Sequence, residues 1–530
     1  MQNTKETIKA LCAKSVVRWL AGAAGVVLCG VGLIYYWRVA YSFSSLSAPL
    51  ATALVCGGFL LLYLLVFLTA HYVQKDLAAK AAILIFAAGL AFVFVNPPLQ
   101  APDETMHFLR AYSIAGGNFS FDQNEDFPTD VDLLVRDFPG NYNLELPLTD
   151  KTSIADAFVR YRNDLANEAV DAPGATTPVQ QCLPYLPQAA GMAVGRIIGA
   201  NALICMYLGR SSNLLCYALL CYVALRAATR FRSALTALML VPIGLFMAAS
   251  TSSDGLLLGL MWLFIGLCLS DRMTRGRSAA LAVSFGILFT AKYNFLALLP
   301  LLWLLPVHKP ALGEKKQRIS PRLGLLLLCL FGAVFLFGAQ TLHTALGSNY
   351  GTLTYFDPAI RPAAQLRFLF AHPARYAAVF LYSLYLNKAE LFSMGVFGWR
   401  DLIVPLVSYF TPLVLLLAAS FDAQDAARET PKTGWLFALS GALLLAFTYT
   451  GMYLTSTPYQ MVQITGVQSR YLLAAFFALL VLAARLIGRT LELQRQTRDT
   501  VQKTHPAWRM LHISFLFAIV SVLLLFQTYY

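Results

Sequence analysis

Runs of roughly 20 apolar residues, separated by short basic or turn-forming segments, recur from one end of the chain to the other. A bilayer offers no water to backbone polar groups, so such runs predict transmembrane α-helices. The pattern places spans at roughly 16–36, 47–70, 80–95, 202–225, 233–250, 255–270, 279–291, 293–306, 323–341, 402–420, 435–454, 471–488 and 510–527. The expectation is an all-α polytopic membrane protein with about 13 transmembrane helices. The segment 376–393 is also apolar enough to span. Counting it as a span would put the basic stretch Arg485–Arg509 on the outer side, so it is expected to lie along the outer surface.

The polar breaks divide the chain into N-terminal spans (1–96), an exocytoplasmic loop ending in an interfacial helix (97–201) and a central bundle (202–341). A second exocytoplasmic region (342–401) and C-terminal spans (402–530) follow. Lys5, Lys9, Lys14 and Arg18 precede the first run and put the N-terminus in the cytoplasm. The loop with Lys75 and Lys80 and the clusters Arg226/Arg230/Arg232, Arg272/Arg275/Arg277 and Lys309 to Arg322 mark the same side.

Composition sharpens the class. Of 530 residues, 58% are hydrophobic and 13% charged, against about 25% charged in a soluble domain. The net charge of +13 comes from short clusters between apolar runs, which is the pattern of cytoplasmic loops and excludes a nucleic-acid groove. The segment 97–182 runs the other way, with fourteen acids against five bases, as an outer loop would. Its turn-rich middle (Phe138-Pro-Gly-Asn-Tyr, Ala172-Pro-Gly) predicts a small lid. Of the nine cysteines, Cys182 alone lies in that polar segment, so no disulfide framework or metal spacing is implied.

The candidate chemistry lies where the third span ends. Pro97 and Pro98 stop the helix, and Pro102 is placed to open a new one with Asp103 and Glu104 in its first turn. Asp103, His107 and Arg110 then share a face at i, i+4 and i+7. The plainer reading is that acids in a first turn complement the helix dipole. Further polar clusters fall on the outer side: Ser250–Asp254 with Ser252, Lys292/Tyr293, Trp399/Arg400 and Gln468/Arg470/Tyr471. Each alone reads as helix-end snorkelling or, for Ser-Ser-Asp-Gly, as turn chemistry. Together, Lys292, Arg400 and Arg470 break the positive-inside pattern and call for an anionic partner such as a lipid phosphate. Arg210 and Asn213 lie within a span and are expected to face the bundle interior. Tyr185 and Trp399 read equally as interfacial belt residues or as sugar platforms. A divalent metal (Mg or Mn) is conceivable through Asp103, Glu104 and Asp254, although no spacing demands one.

Pro97-Pro98-Leu-Gln-Ala-Pro102-Asp103-Glu104-x-x-His107, Tyr185-Leu-Pro187-Gln188, Ser250-x-Ser252-x-Asp254, Ala291-Lys292-Tyr293, Gly395-x-Phe397-Gly398-Trp399 and Gly466-Val467-Gln468-x-Arg470-Tyr471 occur in this order. In these segments the chain resembles the bacterial domain-of-unknown-function 2142 (DUF2142) membrane family. Ser469 stands where that family more often has Gly. The family is similar to C-type (GT-C) glycosyltransferases, which use polyprenyl-phosphate sugars and carry an essential acid in the first outer loop. The resemblance implies a GT-C-like bundle in the bacterial inner membrane. It would move a sugar from a polyprenyl-phosphate donor to a cell-surface glycan or lipid acceptor, with Asp103 or Glu104 as base and His107 tuning it. Lys292 and Arg470 would hold the donor phosphate. Arg110, Tyr185, Gln188, Arg210, Ser252, Asp254 and Tyr293, with Trp399, Gln468 and Tyr471, would complete the substrate site. The competing expectations are a transporter or flippase for the same anionic lipid and a non-catalytic component of glycan assembly.

Overall fold

The computed structural model describes residues 76–119, 126–138, 152–166, 182–306, 321–346, 358–388, 394–398, 402–495 and 506–529, together with Gly57, Leu60, Leu64 and Phe392. The spans expected at 16–36 and 47–70 fall outside these residues, save the three helical positions Gly57, Leu60 and Leu64.

Helix α1 (Leu77–Val95) starts at Asp76, whose carboxylate accepts hydrogen bonds from the Ala78 and Ala79 N–H groups. Lys80 is therefore in its first turn and 1% exposed, not in the loop before it. Three short helices follow: α2 (Glu104–Ala115), α3 (Thr129–Asp137) and α4 (Thr152–Leu165). They close a small apolar core around Phe108, Leu134, Phe138 and Tyr161. Asp137 joins α3 to α4 by accepting from Arg136 at 2.9 Å and Arg160 at 3.1 Å. Within its described residues, the acidic segment is thus a packed helical cap.

Helices α5 (Leu186–Ile197) and α6 (Ala202–Ala227) form a tight hairpin in which Gly191 abuts the Leu208 carbonyl. The run expected as one span at 233–250 is broken into α7 (Arg232–Met239) and α8 (Pro242–Ala248). Pro242 has no N–H for a continuous helix and sits in the first turn of α8 instead. Helix α9 (Asp254–Cys268) is buried along its whole length. A Cβ on Gly266 would lie 2.5 Å from the Ala224 carbonyl oxygen, so only glycine permits α9 and α6 to pack this closely.

Helix α10 (Arg275–Ala291) returns the chain to the site-bearing end, and a 3-10 segment (Tyr293–Leu304) leads away again. Helix α11 (Pro321–Leu346) leaves Phe331, Val334 and Phe335 62–70% exposed, as a lipid-facing surface does. Helices α12 (Pro362–Ala371) and α13 (Pro373–Leu386) come next. The rings of Tyr376 and Phe380 meet Tyr453 and Tyr449, while Ser383 and Asn387 hydrogen-bond the Ile464 backbone.

A two-residue ladder, β1 (Val396–Phe397) with antiparallel β2 (Leu402–Ile403), precedes α14 (Pro405–Phe421) and α15 (Ala423–Arg428). The last helices are α16 (Pro431–Thr455), α17 (Leu473–Arg495) and α18 (Pro506–Tyr529). Among the described residues, six helices are long and apolar enough to cross a membrane: α1, α6, Pro321–Ala339 of α11, α16, Ser469–Thr490 and Ala507–Phe526. α9, the 3-10 segment and α14 are apolar but shorter. The chain is a helical membrane protein.

Candidate functional site

Pro97 and Pro98 follow the end of α1, and the stretch on to Asp103 makes a tight corner in which Leu99 (φ 61°) and Asp103 (φ 58°) are left-handed. Helix α2 consequently begins at Glu104. Pro102 lies before the helix, and Asp103 occupies its N-cap without a side-chain capping bond. This corrects the expected start at Pro102 and parts the two neighbouring acids. Asp103 is exposed, whereas Glu104 is fully buried.

The Glu104 carboxylate is spoken for. Arg210 donates to it through Nε at 2.8 Å and Nη2 at 2.7 Å, and the Thr251 and Ala101 N–H groups add bonds of 2.9 and 3.1 Å. Arg210 also donates to the Val93, Asn96 and Pro97 carbonyls, which have no partner within α1. The pair pins the end of α1 to α6 and to the turn before α9. Neither side chain is exposed to a substrate.

That turn carries the next group. Gln188 donates to the Ser252 carbonyl at 2.9 Å, and Asn213 donates to those of Ser250 and Ser252 at 2.9 and 3.0 Å. The Asp254 N–H donates to Ser252 Oγ. Gln188 and Ser252 thus hold the turn in place. Asp254 opens α9, and two cations meet on it: Lys292 Nζ lies 2.5 Å from Oδ1, and Arg470 Nε 2.8 Å from Oδ2. The Arg470 contact is an ion pair without an aligned hydrogen bond from Nε. Tyr471 lies beneath both, 4.5 Å from Lys292 Nζ and 5.0 Å from the Arg470 guanidinium carbon, ring centroid in each case. Arg470 Nη2 also donates to the Tyr471 hydroxyl at 3.2 Å. Gly466, at φ +81°, makes the turn that delivers Gln468 and Arg470, a conformation that side chains resist.

His107 faces this group from α2. Its Nδ1 is 2.6 Å from the hydroxyl of buried Tyr185. Burial pushes the His107 pKa below that of a free imidazole, against the pull of Asp254 and Asp103, so the ring is neutral at physiological pH. Arg110, in contrast, is buried and donates to the Phe119 carbonyl and the Cys182 thiol. The expected shared face of Asp103, His107 and Arg110 is therefore split by depth. Tyr293 turns outward, 59% exposed, onto Phe289 and Phe337. Trp399 lies outside the described residues.

Beside the cation pair opens a groove of about 530 Å3. Its walls include Ile243, Phe392, Val396, Ile403, Pro405 and Tyr409, and Gln468, Ser469 and Arg470 stand at its polar edge along with Pro102. Sequence reasoning missed most of these walls, because they are ordinary apolar residues brought together from distant segments.

The carboxylates do not fit the divalent metal considered from sequence. Glu104 is committed to Arg210 and Asp254 to two cations, which leaves Asp103 alone. Among the described residues, no group of three or more His, Cys, Asp and Glu side chains is placed to hold a metal.

The family described as "Predicted membrane protein (DUF2142)" matches residues 86–481, which take in Asp103, His107, Asp254, Lys292 and Arg470. No curated protein and no solved structure matches the chain. The match covers well over half of the sequence, and the chain belongs to the DUF2142 family of membrane proteins.

Proposed function

We propose that the protein is an integral-membrane glycosyltransferase that takes a sugar from a polyprenyl-phosphate donor at the outer face of the bacterial inner membrane. The acceptor is a cell-surface glycan or lipid. The observation that carries this reading is Arg470 at the edge of an apolar groove of about 530 Å3, with Lys292 meeting it on Asp254. An amphiphile with a long hydrocarbon tail and a phosphate head has that complementary shape.

The proposed base is Asp103 rather than Glu104, since it is the exposed one of the two. Asp103 removes the proton of the acceptor hydroxyl, whose oxygen attacks the anomeric carbon of the sugar. The bond from that carbon to the phosphate oxygen breaks, and the phosphate leaves with the electron pair toward Lys292 and Arg470. One cationic charge there exceeds the single carboxylate of Asp254, which favours the dianionic leaving group. Neutral His107, held by Tyr185, orients the acceptor beside Asp103.

The test is turnover by the purified full chain with a panel of polyprenyl-phosphate sugars. Asp103→Asn suits it because Asn tolerates the left-handed conformation at this position. The variant is expected to lose on the order of 100-fold or more in kcat while donor binding is retained. Unchanged turnover would remove the base, and donor translocation without sugar transfer would favour a transporter.

A further inference from the structure

At the end of the bundle opposite the Asp254 cluster, Lys80 projects from the first turn of α1 while 1% exposed. Its ammonium lies 4.8 Å from the centroid of Trp508, and no acid among the described residues pairs with it. Asp76, one turn away, already accepts from two helix N–H groups and from Arg226 at 2.8 Å.

Two further polar groups come from neighbouring elements. His512 lies one turn after Trp508 on α18, within electrostatic range of Lys80, and its Nε2 is buried without a hydrogen-bond partner. Arg232, at the start of α7, which packs on the same helix, has a buried Nε without a partner. An ammonium buried without an acid partner is costly unless an anion joins it, and a neutral imidazole can present an Nε2–H to the same anion. Trp508 and His512 are only partly buried, so the site is open at its rim.

We propose that Lys80, His512 and Trp508 form a second anion site, separate from the Asp254 cluster, that takes the phosphodiester headgroup of an anionic membrane lipid. The lipid is favoured over a soluble anion because the donors stand at the ends of apolar helices α1 and α18, where a headgroup meets the protein from the side. At the same end Arg226 and Arg230 are each paired with an acid, Asp76 and Glu429, while Arg232 has no acid partner among the described residues and adds positive charge that draws such a lipid. The inference stands independently of the proposed transferase activity.

The experiment follows thermal unfolding of the full chain in detergent micelles doped with dioleoylphosphatidylglycerol, with dioleoylphosphatidylcholine, or with inorganic phosphate alone. The wild type should shift upward with phosphatidylglycerol only. Lys80→Met should be at least as stable as wild type without lipid, because it removes a buried unpaired charge. It should also need about tenfold more phosphatidylglycerol for half the shift. His512→Phe should weaken the response as well, and Lys388→Met, at an exposed lysine elsewhere, should leave it unchanged. Equal responses to phosphatidylcholine, or wild-type titrations from both Lys80→Met and His512→Phe, would overturn the site. A shift with inorganic phosphate and none with lipid would overturn the lipid assignment. Should Lys80→Met fail to fold, His512→Phe alone decides the outcome.

Discussion

Asp103 and Glu104 are adjacent carboxylates with opposite surroundings, and the difference is measurable. Removing one partner of the buried Glu104–Arg210 pair leaves an uncompensated charge, so Arg210→Met should cost about 3–5 kcal/mol. Thermal unfolding in detergent should report that loss, with Asp103→Asn near wild type. His107 supplies a pH dependence. Its folded pKa lies below the free value of 6.5, so the unfolded chain binds the proton first as pH falls. His107 therefore supports the fold fully above pH 6.5, and that support is lost as pH falls through the lower folded value. Unfolding of His107→Asn should accordingly vary less steeply than wild type between about pH 7 and about pH 5.

Among the elements, the close approach of α9 to α6 is the most exposed to test. Gly266→Ala would place a methyl 2.5 Å from a backbone carbonyl that has little room to move. Overpacking of this kind costs about 1–3 kcal/mol, and the melting temperature should fall accordingly. The long helices α1, α6, α16 and α17 were legible as uninterrupted apolar runs, because length and composition alone define them. The run at 233–250 misled for the same reason: Pro242 changes hydropathy little yet ends a helix. The β1–β2 ladder went unseen, since two paired residues leave no alternation to read.

For the whole molecule, the apolar surface of α11 has to be solvated by lipid. Phe331→Asp places a charge in the middle of that helix at a cost of about 2.5–3.5 kcal/mol on insertion scales. The yield of membrane-inserted protein should drop, whereas Phe331→Leu should insert normally; equal yields would deny α11 a lipid-facing role. The two cation-bearing ends of the bundle are held apart by the same helices, α1 and α6. A residue's position along either helix thus decides which end it serves, as Arg210 and Arg226 on α6 do.

The sequence by itself determined that this is a helical membrane protein, because apolar run length and the demand for internal hydrogen bonds admit little else. It also brought Asp103, His107, Asp254, Lys292 and Arg470 to notice as polar groups beside apolar runs. Only the tertiary structure decided that Glu104 is sealed against Arg210, that Lys292 and Arg470 meet on Asp254, and that an apolar groove ends at Arg470. These pairings join separate segments, 38 positions apart for Asp254 and Lys292 and 106 for Glu104 and Arg210, and local periodicity holds no record of which distant partner a side chain will find.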